Sequence, residues 1–114
     1  MIKITEDKRI FISRGDTPTV PCRFQNTRLA PEDGTQIVFS LKRDYNDKTR
    51  IWRKKYYIKD GRFSIRFEHE DTENLKNDVT YFYDVQLRYL DGQIYTLIPP
   101  TEFKILGVVS DVDE

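Results

Sequence analysis

The run FEHEDTE, residues 67–73, holds the densest set of groups in the chain that could bind a cation. Its ionisable residues are Glu68, His69, Glu70, Asp71 and Glu73. A divalent cation needs several oxygen ligands that converge on one point, but along a strand Glu68 and Glu70 share one face while His69 points away. Glu73 stands where a His-Glu-x-x-His zinc motif needs its second histidine. We interpret the run as a solvated polar segment and expect neither a metal nor a cofactor.

Nucleophilic catalysis has few candidates in this sequence. Cys22 is the only cysteine and His69 the only histidine, and nothing in the sequence brings them together. Cys22 shares strand parity with apolar residues, so we interpret it as a small buried hydrophobic side chain. A lone cysteine forms no internal disulfide, which suits a reducing cytosol. With no serine elbow and no glycine-rich phosphate loop, the chain is predicted not to be an enzyme.

The tripeptide Arg14-Gly15-Asp16, followed by Thr17, matches the motif that cell-adhesion ligands present on exposed loops. An adhesion ligand needs a tip that projects far from the sheet, whereas this connection between two apolar runs is short. Glycine supplies a turn and aspartate can bond the next backbone amides. We predict a structural turn over Arg14, Gly15, Asp16 and Thr17.

Charge is distributed unevenly along a chain whose 19 basic and 19 acidic residues balance. Residues 42–66 hold ten Lys or Arg and three Asp, and residues 67–114 hold three Lys or Arg and eleven Asp or Glu. The basic hairpin 42–58 also carries aromatic residues, a combination that can bind single-stranded nucleic acid. The zero net charge makes nucleic acid an unlikely partner, and a charge-split surface suits protein contacts equally well. The candidate interaction surface is Arg50, Trp52, Arg53, Lys54 and Lys55.

Alternating apolar and polar residues predict strands along most of the chain. Inward-facing sets are Val20, Cys22 and Phe24; Ile37, Phe39 and Leu41; Phe63, Ile65 and Phe67; and Tyr81, Tyr83, Val85, Leu87 and Tyr89. One apolar face per strand is typical of antiparallel sheets packed on one side. Pro21 cannot donate a ladder hydrogen bond, so its strand should lie at an edge or its nitrogen should face outward.

Turn signals separate these strands. Asp33-Gly34, Asp60-Gly61 and Asp91-Gly92 each suit turns with positive φ, and the last predicts a two-residue hairpin turn. Residues 70–76 predict one helical turn, with Asp71 or Thr72 as its cap.

Seven to eight short strands with intervening turns predict an all-β fold, an Ig-like antiparallel sandwich with one short helical turn. Tyr81 begins the longest strand just after a crossover, where Ig-like sandwiches place a corner tyrosine. We predict one domain over residues 1–110 and an acidic tail over 111–114. The longest apolar run is too short to cross a bilayer, and the N-terminal residues lack the apolar region of a signal peptide, so no membrane partner is expected.

Four motifs occur in order across nearly the whole chain: ISRGDTPTV, YFYDVQL, DGQIYTLI and TEFKIL. Together they resemble the N-terminal Ig-like domain of baseplate upper proteins and related minor tail proteins of phages that infect Gram-positive bacteria. The resemblance places the family's Arg-Gly-Asp-Thr turn at residues 14–17, its Tyr-Asp-hydrophobic-Gln strand at residues 83–86, its hairpin glycine at Gly92 and its final strand at Phe103 and Ile105.

The resemblance implies a virion structural protein of a phage or prophage tail, made in the cytoplasm of the bacterial host. Such a module attaches a receptor-binding appendage to the baseplate through contacts with other tail or baseplate proteins, and with copies of itself. It also implies that the Arg-Gly-Asp tripeptide connects strands. An alternative from the residues alone is a binding module that recognises carbohydrate or single-stranded nucleic acid through hairpin 42–58.

Overall fold

The computed structural model describes residues 1–25, 30–44, 46 and 48–106. These residues form eight strands and one short helix, so the predicted all-β sandwich is confirmed. The predicted domain end at residue 110 and the acidic tail 111–114 lie outside the described residues. The elements are β1 (Ile2–Ile4), β2 (Ile10–Ser13), β3 (Thr19–Arg23), β4 (Gln36–Lys42), β5 (Trp52–Tyr57), β6 (Arg62–Arg66), α1 (His69–Glu73), β7 (Thr80–Arg88) and β8 (Ile94–Leu106).

The strands form a six-stranded sheet in the order β1-β2-β8-β7-β4-β5 and a two-stranded sheet of β3 and β6. The sandwich is not purely antiparallel, because β2 pairs with β8 in parallel, with Ile10 opposite Phe103 and Ile12 opposite Ile105. The sequence did not predict this, because side chains alternate in the same way in parallel and antiparallel pairs. No short turn joins β2 to β8 that would require them to run antiparallel. The large sheet is therefore mixed.

The core lies between the two sheets and includes most residues of the inward sets that alternation predicts. The other members of those sets are only partly buried and pack against the core: Val20, Cys22, Phe24, Phe63 and Tyr89. Phe39 stands at its centre, with its ring stacked on Tyr83 at 5.0 Å and on Trp52 at 5.5 Å between centroids. Burying each large apolar side chain contributes about 1.5–3 kcal/mol. The buried apolar cluster is Ile10, Ile12, Ile37, Phe39, Leu41, Ile58, Ile65, Phe67, Leu75, Tyr81, Tyr83, Val85, Leu87, Phe103 and Ile105.

The glycine turns differ from one another in length. Asp60 and Gly61 have φ of 53° and 71°, and the flanking Lys59 and Arg62 exchange backbone hydrogen bonds, so this is a two-residue turn of the primed type. The loop at Gly92 has three residues, not the predicted two, because the Tyr89 amide donates to the Gln93 carbonyl. Only Gly92 in that loop has positive φ, at 92°. A two-residue turn centred on Asp91 and Gly92 would need positive φ at both residues in type I′ and at Asp91 in type II′.

Pro21 lies in an edge strand, as its missing N–H requires. Its strand, β3, pairs only with β6. The Phe24 amide donates to the Gly61 carbonyl, and the Phe67 amide donates to the Pro18 carbonyl. Because antiparallel ladders alternate between bonded and non-bonded pairs, these two bonds leave the nitrogen of Pro21 facing away from β6.

Helix α1 begins one residue earlier than predicted and has a different cap. Glu68 is the N-cap residue, and its amide donates to the Asp71 carboxylate at 2.7 Å. Neither Asp71 nor Thr72 is the cap, because both residues lie inside the helix. Asp71 reaches back to Glu68, and Thr72 is fully buried against the turn that contains Gly15.

Candidate interaction surface

The Arg-Gly-Asp-Thr segment is a turn that packs on α1 and the residues that follow it. The Asp16 amide closes the turn on the Ser13 carbonyl at 3.2 Å, and Gly15 has φ of 78°. The Gly15 amide donates to the Thr72 hydroxyl at 2.7 Å. The Arg14 guanidinium donates to the Leu75 carbonyl at 3.0 Å. The turn therefore joins the β2–β3 connection to the crossover between the sheets.

The side chains of this turn are bonded within the domain instead of projecting from it. Arg14 also donates to the Asn77 side chain, and the Asp16 carboxylate accepts from the Met1 amino group. His69 Nδ1 lies 3.1 Å from the Gly15 carbonyl. A Cβ on Gly15 would come within 2.9 Å of the His69 ring, so an added side chain would displace that ring. Thr17 is exposed, and 42% of the Asp16 side-chain surface is accessible as well.

Tyr81 makes the contact expected of a corner tyrosine. It is 5% exposed, and its hydroxyl accepts a hydrogen bond from the Lys76 amide at 2.9 Å. The bond ties the crossover to the start of β7.

The acidic and histidine-containing run at 67–73 is divided among separate contacts. Asp71 pairs with Lys54, and their side chains are only 12% and 18% exposed. His69 Nε2 lies 3.9 Å from a Glu73 carboxylate oxygen. Within the described residues, no three His, Cys, Asp or Glu side chains are grouped closely enough to hold a metal ion. His69 and Cys22 also have different surroundings, because Cys22 lies at the cleft between the sheets.

The five residues of the candidate surface at 50–55 do not share one face. The register of β4 and β5 puts Trp52 opposite Leu41 and Lys54 opposite Phe39, on the inner face of the sheet. Arg53 is opposite Ser40 on the outer face, and Lys55 shares its parity. Arg50 acts electrostatically on Arg53. The five residues therefore do not form one continuous face, because alternation along β5 separates Trp52 and Lys54 from Arg53 and Lys55.

Trp52 belongs to the core, not to a platform for bases or sugars. Its ring stacks on Phe39 at an interplanar angle of 17° and meets Phe103 edge-on at 86°. Its Nε1–H donates to the Asp71 carbonyl at 2.9 Å. Tyr56 is also committed, because its hydroxyl donates to the Arg66 carbonyl and accepts from the Arg66 amide. Tyr45, another aromatic residue of hairpin 42–58, lies outside the described residues.

The outer face of the large sheet carries a group of cations around one carboxylate. Asp84 of β7 lies opposite Ser40 of β4, and Ser40 in turn lies opposite Arg53 of β5. Burial raises the pKa of Asp84, and Lys42, Arg53 and Arg50 oppose that rise. Burial, together with the positive charges of Arg50 and Arg88, lowers the pKa of the Arg53 guanidinium. Cations thus outnumber the single carboxylate in this part of the face.

One end of this face has large apolar side chains exposed around an arginine. Tyr57, Leu90 and Ile94, which we call the turn-end patch, are 61%, 62% and 60% exposed. They line a shallow depression that also contains Arg88. Arg88 Nε is buried and has no hydrogen-bond partner among the described residues. Aromatic and arginine side chains are enriched at protein interfaces, so the patch has the composition of a contact site.

The turn-end patch is a feature that the sequence analysis missed. The sequence pattern places Tyr57 with its neighbours in a basic hairpin, and Ile94 in an ordinary strand. One signal is present: Tyr57 and Trp52 have opposite parity on β5, so one of them must face outward. The convergence with Leu90 and Arg88 depends on the pairing of β4 with both β5 and β7, which has no local sequence signal.

Comparison with protein-family models, curated proteins and solved structures finds no match to this chain. The likeness to phage baseplate and tail domains thus depends on the sequence motifs. Among the described residues, no helix has the length and apolar character needed to cross a bilayer.

Proposed function

We propose that this chain is a non-enzymatic structural module of a phage or prophage tail or baseplate, where it attaches a receptor-binding appendage through protein–protein contacts. It is made in the bacterial cytoplasm and functions in the virion, with other tail proteins or further copies of itself as partners. The ordered motifs support the phage assignment. Contact as the mode of action is supported by the turn-end patch, whose three apolar side chains surround Arg88.

The position of the patch suits docking against another protein. Tyr57 comes from β5, Leu90 from the β7–β8 loop and Ile94 from β8, so three elements of the sandwich hold the patch in place. Residues anchored on a rigid scaffold lose little conformational entropy when they bind. Arg88 lies among them, so a partner carboxylate could bind its guanidinium while apolar groups cover the surrounding side chains.

Recognition of carbohydrate or nucleic acid through hairpin 42–58 has less support. Trp52 is stacked within the core and Tyr56 is bonded to Arg66. Of the described aromatic residues in the hairpin, Tyr57 alone is more than half exposed. One accessible ring is a weak basis for stacking on successive bases.

Co-expression with the tail proteins encoded beside this gene tests the proposal. We expect a complex larger than the 13.6 kDa monomer in size exclusion with light scattering. The double variant Tyr57→Ala/Ile94→Glu should remain folded and lose the complex. Tyr95→Ala is the matched control, because Tyr95 is 59% exposed but does not line the depression. A chain that stays monomeric with every neighbouring tail protein, and is missing from purified virions, would exclude this function.

A further inference from the structure

An apolar cleft opens between the two sheets and is lined by residues of β3, β6 and the large sheet. Its volume is about 500 Å³, within the range of small-molecule sites. One wall is the inner face of the small sheet, with Val20, Cys22 and Ile65. The other wall is the large sheet, with Ile10, Val85 and Ile98. The cleft exists because a sheet of two five-residue strands covers only part of a six-stranded sheet.

The rim of the cleft is positively charged. Lys8 and Arg23 both line the cleft, and both are exposed. The ion pairs formed among the described residues include neither of them. The charge of Lys8 reaches the interior, because it partly opposes the rise that burial causes in the pKa of Cys22.

The segment that carries Lys8 is held in position over the cleft. Lys8 has φ of 70°, its amide donates to the Thr5 carbonyl at 3.0 Å, and its carbonyl accepts from the Tyr83 hydroxyl. Tyr83 belongs to the floor of the cleft and is 3% exposed. Its one polar group is therefore satisfied by the backbone of Lys8 and leaves the floor apolar.

Two other occupants fit the cleft poorly. A partner strand added to β3 would meet Pro21, whose nitrogen faces the free edge and carries no hydrogen to donate. Ordered water needs two to four polar partners, and the floor and walls are mainly hydrophobic. A ligand with an apolar body and one anionic end satisfies both the interior and the rim.

We propose that this cleft binds a single-chain fatty acid, with the acyl chain between the sheets and the carboxylate at the rim beside Lys8 and Arg23. Burial of the chain removes apolar surface of both partners from water. The carboxylate forms charge-assisted contacts with two cations that have no other ion pair within the described part of the chain. This binding goes beyond the assembly function and does not require it.

Alkylation of Cys22 by iodoacetamide is a direct measure of occupancy, because Cys22 is the only cysteine and lines the cleft. The probe is dodecanoate, kept below its critical micelle concentration. When the free dodecanoate concentration is about ten times its Kd, about a tenth of the clefts stay empty, so alkylation of Cys22 should slow about tenfold. Dodecyltrimethylammonium has the same chain with the opposite charge and should protect far less.

The double variant Lys8→Asn/Arg23→Gln tests the rim without changing the interior. Asparagine tolerates the positive φ of residue 8. We expect dodecanoate to bind about tenfold more weakly, as for the loss of charge-assisted contacts worth ~1.4 kcal/mol, while dodecanol binds as it does to the wild type. Lys3→Asn/Lys55→Gln removes two cations that do not line the cleft and should leave dodecanoate binding unchanged.

Filling the cleft provides a second, independent test. Val20→Trp should abolish protection of Cys22 by dodecanoate, and if this variant does not fold, the charge variant decides alone. The proposal is overturned if dodecanoate leaves the alkylation rate of the wild type unchanged. It is also overturned if the ammonium probe protects equally well, or if Lys8→Asn/Arg23→Gln binds dodecanoate as tightly as the wild type. Failure to bind a tail protein would not bear on these results.

Discussion

At the residue scale, Tyr81 joins the crossover to β7 through one hydrogen bond from the Lys76 amide. Tyr81→Phe keeps the buried ring and removes that bond, so the free energy of unfolding should fall by about 1 kcal/mol. A urea titration measures it. Tyr57→Phe is the control and should change stability by less than about 0.5 kcal/mol, because the Tyr57 hydroxyl accepts from the Gln36 side-chain amide at 3.4 Å on the surface. An unchanged midpoint for Tyr81→Phe would contradict the corner role.

Gly15 is favoured by its positive φ, and an added side chain would also meet the ring of His69. Alanine there would have positive φ and a Cβ within 2.9 Å of the His69 ring, so Gly15→Ala should cost about 1–3 kcal/mol. Gly92→Ala is the matched control, because Gly92 has φ of 92° and a Cβ added there would meet no atom within 4 Å. The difference between the two variants in thermal or urea unfolding measures the contact with His69. Equal losses would mean that the contact adds nothing to the strain.

Tyr56 predicts an alkaline loss of stability. Burial raises its pKa from 10.0 to about 12. Between these values the unfolded chain has lost the phenolic proton and the folded chain retains it, so the free energy of unfolding decreases as pH rises. Burial also raises the pKa of Tyr83, so Tyr56→Phe should reduce the decrease without abolishing it. Urea titrations below pH 10 and near pH 12, done on the wild type and on Tyr56→Phe, give the change in the free energy of unfolding with pH for each protein. Equal changes in the two proteins would contradict this assignment.

At the scale of elements, Asp71 holds α1 against β5. Its carboxylate accepts from Lys54 Nζ and from the Glu68 amide, and its carbonyl accepts from Trp52 Nε1. Asp71→Asn keeps the size of the side chain but leaves the part-buried Lys54 ammonium without its counter-charge. We expect a loss of about 1–3 kcal/mol in urea titration. Glu70→Gln, on the exposed side of the same helix, should be close to neutral, and a loss equal to that of Asp71→Asn would point to helix charge instead.

The same helix explains the position of the Arg-Gly-Asp turn. Thr72 accepts from the Gly15 amide, and Arg14 bonds the Leu75 carbonyl just after the helix ends. One short helix thus connects β2, β5 and the crossover. An element of five residues has little intrinsic stability, so these tertiary contacts are what hold it.

At the scale of the whole molecule, the basic outer face should not bind single-stranded nucleic acid tightly. Arg53 and Lys55 lie on that face, but Trp52 and Tyr56 are committed to the interior. A labelled oligonucleotide titrated at low and at moderate salt should show only weak binding that disappears as salt rises. Arg53→Glu/Lys55→Glu is the control variant, since Lys54 is needed for its pair with Asp71. Micromolar binding that this variant abolishes would favour a nucleic-acid function over assembly alone.

The sequence by itself determined the strands, the inward sets and the place of the corner tyrosine, because each depends on side-chain period or local chain direction. It also indicated that Pro21 belongs at an edge, since a missing N–H has the same consequence in any sheet. The alternation in β4 and β7 predicted the burial of Phe39 and Tyr83 without reference to strand order.

Only the tertiary structure decided which of these residues meet. The parallel pairing of β2 with β8 and the convergence of Tyr57, Leu90 and Ile94 join segments far apart in the chain. The separation of Lys54 from Lys55 follows from alternation, but the pairing of Lys54 with Asp71 required α1 to lie against β5. The cleft beside Cys22 depends on how little of a six-stranded sheet a two-stranded sheet covers. Such contacts arise from packing between elements far apart in the chain, and a local sequence pattern does not predict which distant elements pack together.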